Sequence, residues 1–267
     1  MARVMDTNDG NGDFSMLKDN GKKKRVFLCN RMDEAELGQV YKVINRQSTI
    51  GLALTFDLKN LEAGLQNLTY IIVSTLDPSH MTYVFDCVSL DPIEILADLK
   101  TVLTNPHITK VVNDLYNSMY YLYHRHYLEV QDVMDIQISH RSLVQKREKG
   151  TESTQAQPSL DDMIRLYVDW KFAWPIKSKK KLNPVDLWSN PDPLCEVQIA
   201  DAALQGMYLL DIFQAQQQMI LANTVQRLGP EARGKLKVLS AGRFSQHQMI
   251  NCYLTKSLHV GSVEQTS

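Results

Sequence analysis

Apolar residues follow two different periods along this chain, and each period predicts a type of secondary structure. Four segments rich in β-branched and aromatic residues predict strands. They are residues 48–56, 68–75, 81–88 and 108–112. A brief apolar run, Val26–Cys29, precedes them.

Longer segments carry apolar residues at three- and four-residue spacing, which is the period of an amphipathic helix. Helices are predicted at residues 33–46, 91–103, 115–126, 160–168 and 194–222. Asp33 is the expected cap of the first helix, and Pro92 suits the first turn of the second. The apolar stretch around Asp135 is predicted to begin a further helix.

This order of elements predicts an α/β fold in which a mixed five-stranded sheet is flanked by helices. Residues 1–24 are rich in Asn, Asp, Gly and Lys and show no apolar period, so they are interpreted as a disordered leader. Residues 25–225 form the predicted domain. Residues 226–267, where the pattern weakens, are interpreted as a partly helical C-terminal extension.

Charge and cysteine spacing exclude several classes of protein. The chain has 29 Lys and Arg against 30 Asp and Glu, so any binding of nucleic acid must depend on local basic patches. The four cysteines lie far apart without a CxxC pair, which indicates buried free thiols rather than a zinc site. No apolar run approaches the roughly 18 to 20 residues that span a bilayer, and we expect a cytoplasmic protein with no membrane segment.

Three further segments carry distinctive residue patterns and follow one another along most of the chain. They are IGLALTF at 50–56, VVNDLYNSMYYLYHRHYLEVQDVMDIQIS at 111–139 and ADAALQGMYLLDI at 200–212. Together they resemble the three motifs of the RNase D-like branch of the DEDD 3′–5′ exonucleases, over residues 48 to about 215. The resemblance implies an RNase H-like fold.

Exonuclease chemistry in that family needs four carboxylates, because two divalent metal ions about 4 Å apart must be held by oxygen ligands. The resemblance places these four positions on Ala53, Thr55, Ser118 and Gln205, and an aromatic position of the third motif on Asp201. None of the four is a carboxylate. The resemblance therefore implies a chain that is not an enzyme and holds neither a metal nor another cofactor.

A different register would bring other carboxylates near the motifs. These are Asp57, Asp86, Asp114 and Asp135. Asp201 and Gln205 share one helical face, but a single carboxylate cannot replace four around two metal ions. An active exoribonuclease that trims RNA with manganese or magnesium remains the alternative hypothesis.

A basic connector precedes the third motif. Its lysines are Lys177, Lys179, Lys180 and Lys181, with Trp170, Phe172, Trp174 and Trp188 around them. Basic residues interleaved with aromatic residues suit contacts to the phosphates and bases of RNA. A solvated loop that its tryptophans anchor to the core explains the same pattern. The earlier basic run, Lys22–Arg25, is interpreted as either a phosphate-binding arm or a linker end.

Aromatic residues and histidines also crowd the helix predicted at 115–126. The tyrosines are Tyr116, Tyr120, Tyr121, Tyr123 and Tyr127. They suit either a protein interface or a helix that is buried on most sides. His124 and His126 do not gather the ligands of a metal site and are interpreted as solvent-facing or partly packed.

Within the exonuclease family the chain most resembles a catalytically inactive member that acts in piRNA biogenesis. That resemblance implies an RNA-binding adaptor, homodimeric and cytoplasmic, that works with a PIWI-family protein and a Tudor-domain protein. A scaffold that binds only proteins is the third hypothesis.

Overall fold

The computed structural model of the chain describes residues 13–19, 22–30, 34–57, 67–76, 80–145, 157–172 and 196–227. The strands within these ranges are β1 (Asp13–Asp19), β2 (Lys22–Cys29), β3 (Thr49–Asp57), β4 (Asn67–Ser74), β5 (Met81–Asp86), β6 (Thr109–Val112) and β7 (Val133–Asp135). They form one sheet in the order β1-β2-β5-β4-β3-β6-β7. The pairs β1–β2, β5–β4 and β4–β3 are antiparallel, whereas β2–β5, β3–β6 and β6–β7 are parallel. The predicted α/β class with a mixed sheet is confirmed.

The helices of the described ranges follow the predicted periodic segments. They are α1 (Glu34–Asn45), α2 (Pro92–Leu103), α3 (Leu115–His126), α4 (Ile136–Gln145), α5 (Leu160–Tyr167), α6 (Glu196–Met207) and α7 (Leu209–Arg227). Local chemistry determines where several of them begin. The Asp91 carboxylate accepts a hydrogen bond from the Ile93 backbone N–H at the start of α2. At the start of α5, Ser159 and Asp162 form a reciprocal capping box.

The sheet is covered on both faces, so its central strands are apolar on both sides. On β4, Ile71 packs in the cluster that includes residues of α1, α2 and α3. Its neighbour Ile72 packs in the cluster that includes residues of α5, α6 and the start of α7. Successive side chains of a strand point to opposite faces, which explains this division. It also explains why residues 70–73 form a continuous apolar run.

The sheet has seven strands where five were predicted. β7 is three residues long and leads directly into α4, so it is too short to show a two-residue period. β1 lies within the predicted leader and pairs with β2 along most of its length. Pairing between strands depends on long-range contacts that local composition does not reveal.

The predicted helix at 194–222 is divided into α6 and α7 by a turn at Tyr208. Lys24 of β2 reaches this turn, where its Nζ donates a hydrogen bond to the Met207 carbonyl oxygen at 3.0 Å and forms an ion pair with Asp211. The ammonium group also lies 4.1 Å from the centroid of the Tyr208 ring. Lys24 thus donates a hydrogen bond to the Met207 carbonyl at the C-terminal end of α6, where carbonyl groups lack partners within the helix. Lys24 therefore belongs to the core and not to a solvated arm.

The chain divides into two compact units, Met1–Gln214 and Ala215–Ser267. The first contains the whole sheet and the five positions predicted from the three motifs. The predicted boundary at 225/226 falls further along α7. None of the helices in the described ranges is long and apolar enough to cross a membrane.

Candidate functional site

β3 presents the first-motif positions on the face of the sheet that α6 covers. Ala53 packs against the apolar cluster to which Ile199 and Ala203 of α6 belong. Ile50 and Leu52 belong to the cluster on the opposite face. The two-residue period of a strand places Thr55 on the same side as Ala53. The first- and third-motif positions therefore occur on one side of the sheet.

α6 lies close to the sheet because small residues occupy the contact. A Cβ atom on Gly206 would lie 2.5 Å from Cγ2 of Ile72, and one on Gly51 would collide with Oγ of Ser74. Ser74 Oγ donates a hydrogen bond to the Gly206 carbonyl oxygen at 2.9 Å. Ala202 and Ala203 are fully buried in the same helix. This close packing determines where the side chains of the third motif lie.

Thr55 has a side-chain partner on the neighbouring strand. Its Oγ1 lies 2.8 Å from Oγ1 of Thr69, within hydrogen-bonding distance. The register of β3 and β4 shifts between Thr55 and Phe56, so that Thr55 pairs with Tyr70 and Phe56 pairs with Leu68. A β-bulge of this kind redirects side chains. The Thr69 partner was not predicted, because it depends on this irregular register.

α3 reaches the end of β3 through an aromatic contact. The ring centroids of Phe56 and Tyr121 are 4.8 Å apart. Ser118 lies one helical turn before Tyr121 and is partly buried. On α6, Asp201 is buried and Gln205 is partly buried, four residues apart. β3, α3 and α6 thus carry the five positions predicted from the three motifs.

The donor atoms at these five positions do not fit a centre of two divalent metal ions. They comprise a methyl group at Ala53, hydroxyl groups at Thr55 and Ser118, an amide at Gln205 and a single carboxylate at Asp201. Magnesium and manganese are held mainly by carboxylate oxygens, which also neutralise their charge. In the part of the chain that the structure describes, no group of three or more His, Cys, Asp or Glu side chains is arranged to hold a metal ion.

Two of the carboxylates that a different register would use have other structural roles. Asp86 accepts hydrogen bonds from the Val88 backbone N–H at 3.0 Å and from Ser89 Oγ at 2.7 Å, in the turn after β5. Asp135 accepts from the Gln137 backbone N–H at 2.7 Å and so caps α4. Asp114 is exposed in a left-handed conformation before α3.

Asp57, the fourth of these carboxylates, is the last residue of β3. The strand therefore extends one residue beyond the predicted end.

Burial keeps the Tyr121 hydroxyl group and the thiols of Cys29 and Cys87 uncharged near neutral pH. Burial raises the pKa of Tyr121. Burial, together with the nearby Asp86 carboxylate, raises the pKa of Cys87 to about 12. Burial also raises the pKa of Cys29. Cys29 and Cys87 are free and buried, as predicted, and a thiol that stays protonated is unreactive. Cys195 and Cys252 lie outside the described residues.

The structure describes only Trp170 and Phe172 among the aromatic residues predicted to surround the RNA-binding connector. Lys177, Lys179, Lys180, Lys181 and Trp174 lie outside the described residues. Phe172, just before them, packs on the Tyr208 ring with a centroid distance of 5.4 Å. Trp170 is 76% exposed, and the Lys171 ammonium lies 4.9 Å from the centroid of its ring. Phe172 is therefore packed against the core, whereas Trp170 is accessible.

The histidines of α3 pack against tyrosines. The His124 ring lies 4.3 Å from that of Tyr120, and the His126 ring lies 5.2 Å from that of Tyr121. The first is exposed and the second is partly buried. The interpretation of these histidines as solvent-facing or partly packed is confirmed.

Comparison with known proteins adds a family to this geometry. The 3′–5′ exonuclease family matches residues 65–221, which is more than half of the 267 residues. The match covers the second and third motifs and begins after β3, so the assignment of Ala53 and Thr55 depends on their resemblance to the first motif. Comparison with curated protein sequences gives no match.

Solved exonuclease structures have the same fold. RNase D of Trypanosoma brucei superposes with a TM-score of 0.59 at 14% identity, over 72% of this chain and 64% of that one. The Nibbler EXO domain of Aedes aegypti gives 0.58 at 18% identity, over 81% and 94%. RNase D of Escherichia coli gives 0.52 at 18% identity, over 79% and 48%. This chain thus spans less than two thirds of either RNase D. The mixed sheet, the order of its helices and the matched residues together show that the chain belongs to the DEDD 3′–5′ exonuclease family.

Proposed function

We propose that this chain is a catalytically inactive member of the exonuclease family that binds RNA as an adaptor in piRNA biogenesis. The proposal rests on the chemistry of the β3 side chains on the side of the sheet that α6 covers. There Ala53 supplies a methyl group to the apolar core, and the Thr55 hydroxyl group is within hydrogen-bonding distance of Thr69. Neither side chain offers an anionic oxygen to a metal ion.

The chemical reason for inactivity is the charge that two divalent cations bring with them. Placing them about 4 Å apart requires several carboxylates, because their mutual repulsion would otherwise prevent joint binding. Asp201 supplies one carboxylate among the five motif positions. Without the metal ions, the attacking water is not activated and the leaving oxygen is not stabilised.

RNA binding is proposed from the fold and from the basic connector. RNase D of Trypanosoma brucei, which shares this fold, has also been solved in complex with the RNA U12. On this chain the lysines at 177 and 179–181 are the proposed phosphate contacts, and Trp174 is the proposed stacking residue. The homodimer, the PIWI-family and Tudor-domain partners and the cytoplasmic location are proposed from the resemblance alone.

Labelled single-stranded RNA incubated with the full chain and manganese tests this proposal. We expect a mobility shift at low salt and no shortening of the RNA. Shortened product that disappears with EDTA would establish the alternative, an active exoribonuclease. Binding that is unchanged after Lys179, Lys180 and Lys181 are replaced by Gln would remove the connector from the interface.

A chain that neither shifts nor shortens RNA would support the third hypothesis, a scaffold that binds only proteins. The exposed tyrosines of α3 and of the residue that follows it favour that hypothesis, because Tyr116, Tyr120, Tyr123 and Tyr127 all remain accessible. The two functions are compatible within one chain, since these tyrosines point away from the buried side of α3.

A further inference from the structure

A row of aromatic rings lies on the outward side of α3. Tyr116, Tyr120 and Tyr123 expose 74%, 55% and 55% of their surface. The Tyr116 and Tyr120 ring centroids are 6.2 Å apart with an interplanar angle of 25°, and the His124 ring continues the row 4.3 Å beyond Tyr120. Leu122, on the opposite side of the helix, is fully buried.

These rings line a groove of about 380 Å³. The rest of its lining is Met119 and the residues that follow the helix, Leu128, Glu129 and Val130. Leu128 is 5% exposed, whereas Glu129 is exposed. The groove therefore combines three tyrosine rings, the His124 ring, an apolar base and one carboxylate.

We propose that this groove docks a proline-rich segment of a partner protein that carries a Lys or Arg next to its prolines. Aromatic-lined grooves bind such segments because their polyproline II helix is already formed and loses little entropy on binding. That helix has no internal hydrogen bonds, so its carbonyl oxygens can accept hydrogen bonds from tyrosine hydroxyl groups.

The spacing of the tyrosines suits this ligand. Tyr116 and Tyr123 are seven residues apart, which corresponds to about 10.5 Å along a helix axis. One turn of a polyproline II helix advances about 9.3 Å. Equivalent faces of a bound segment would therefore meet Tyr116 and Tyr123 in turn, with Tyr120 between them.

Charge complementarity determines the choice of partner. Glu129 forms no ion pair with any residue of the described ranges, and the groove lining contains no Lys or Arg. A second copy of the chain docked here would bring the same lining and no Lys or Arg for Glu129. RNA would find neither Lys nor Arg in the lining for its phosphates, which dominate its affinity for proteins. A Lys or Arg on the ligand would form an ion pair with the Glu129 carboxylate.

This surface lies apart from the candidate nuclease-like site. Ser118 and Tyr120 are two residues apart, so they point about 200° apart around the helix. The proposal is therefore independent of the proposed RNA-binding function, and either can fail without the other.

Titration of the full chain with a fluorescent oligoproline peptide that has an arginine at each end tests the proposal. The same peptide with glutamines in place of the arginines is the matched probe. We expect Tyr120→Ala to weaken binding of the arginine peptide about tenfold, as removal of a central interface residue does. Glu129→Gln should reduce the affinity for the arginine peptide to that for the glutamine peptide.

Tyr127→Ala is the control variant, because Tyr127 is 89% exposed but does not line the groove. Its affinity should stay within about twofold of the wild type. The proposal is overturned if the wild-type chain does not bind the peptide at about 1 mM, or if Tyr120→Ala and Tyr127→Ala weaken binding equally.

Sedimentation and RNA titration of the same variants identify another occupant. A wild-type dimer that Tyr120→Ala converts to a monomer, without peptide binding, would assign the groove to a second copy. RNA binding that Tyr120→Ala abolishes, without peptide binding, would assign it to RNA. Either result overturns the proposal.

Discussion

Replacing Gly206 by alanine tests whether close packing of α6 on the sheet positions the third motif. The new Cβ would lie 2.5 Å from Cγ2 of Ile72, well inside van der Waals contact. Ile72 is fully buried in a central strand and has no room to retreat. α6 must therefore move away from the sheet, and the hydrogen bond from Ser74 to the Gly206 carbonyl lengthens.

The expected magnitude follows from three contributions. Alanine gains at most about 1 kcal/mol over glycine from helix propensity. Overpacking of a core costs about 1–3 kcal/mol, and a weakened buried hydrogen bond costs about 1 kcal/mol more. We therefore expect Gly206→Ala to lower the free energy of unfolding by about 1–3 kcal/mol.

Urea unfolding followed by circular dichroism measures this difference, and α1 supplies a matched control. Gly38 also lies inside a helix, but a Cβ there would have no neighbour within 4 Å. Gly38→Ala should therefore raise the free energy of unfolding by up to about 1 kcal/mol. In an Ile72→Ala background, where Cγ2 is absent, the penalty of Gly206→Ala should shrink by about 1 kcal/mol. Equal effects at Gly38 and Gly206 would refute the account of the packing.

Further predictions concern polar groups inside the fold. Burial lowers the pKa of Lys110 from its usual 10.5 to about 8. As the pH rises, the folded state therefore loses this proton before the unfolded state does. The difference in free energy of unfolding between the wild type and Lys110→Met should rise by about 3 kcal/mol between pH 8 and 10.5. A difference that stays constant over this pH range in urea titrations would contradict this. Lys24→Met should lower the free energy of unfolding measured in urea by about 3 kcal/mol, because it leaves the Asp211 carboxylate without its ammonium partner. The loss should be smaller when Lys24→Met is combined with Asp211→Leu. Thr55→Val should lower the free energy of unfolding by about 1 kcal/mol. Adding Thr69→Val to the Thr55→Val variant should lower it little further, because the hydrogen bond between the two hydroxyl groups is already lost.

Most of the fold could be predicted from the sequence, because its central strands and helices have strong local patterns. The cap of α2 shows this, since Asp91 and Pro92 determine its first turn from chemistry within the segment. The division between α6 and α7 could not be predicted. It involves Lys24, which is distant in sequence and whose burial a run of basic residues does not indicate.

The sequence likewise predicted only some features of the candidate site. The residue types at Ala53 and Thr55 are visible in the sequence, and the two-residue period of a strand predicts that they share a face. The Thr69 partner depends on the register shift between β3 and β4, which has no local signal. The groove on α3 was visible only as a cluster of tyrosines. Which of them are exposed depends on how the helix packs on Phe56.

Anomalous scattering from a crystal of the full chain soaked in manganese tests the central claim most directly. A variant with Ala53→Asp, Thr55→Glu, Ser118→Asp and Gln205→Asp serves as the positive control, because it restores the four carboxylates. We expect no manganese peak beside these positions in the wild type and recovered peaks in the variant. Two peaks about 4 Å apart beside Ala53 and Thr55 in the wild type would contradict it.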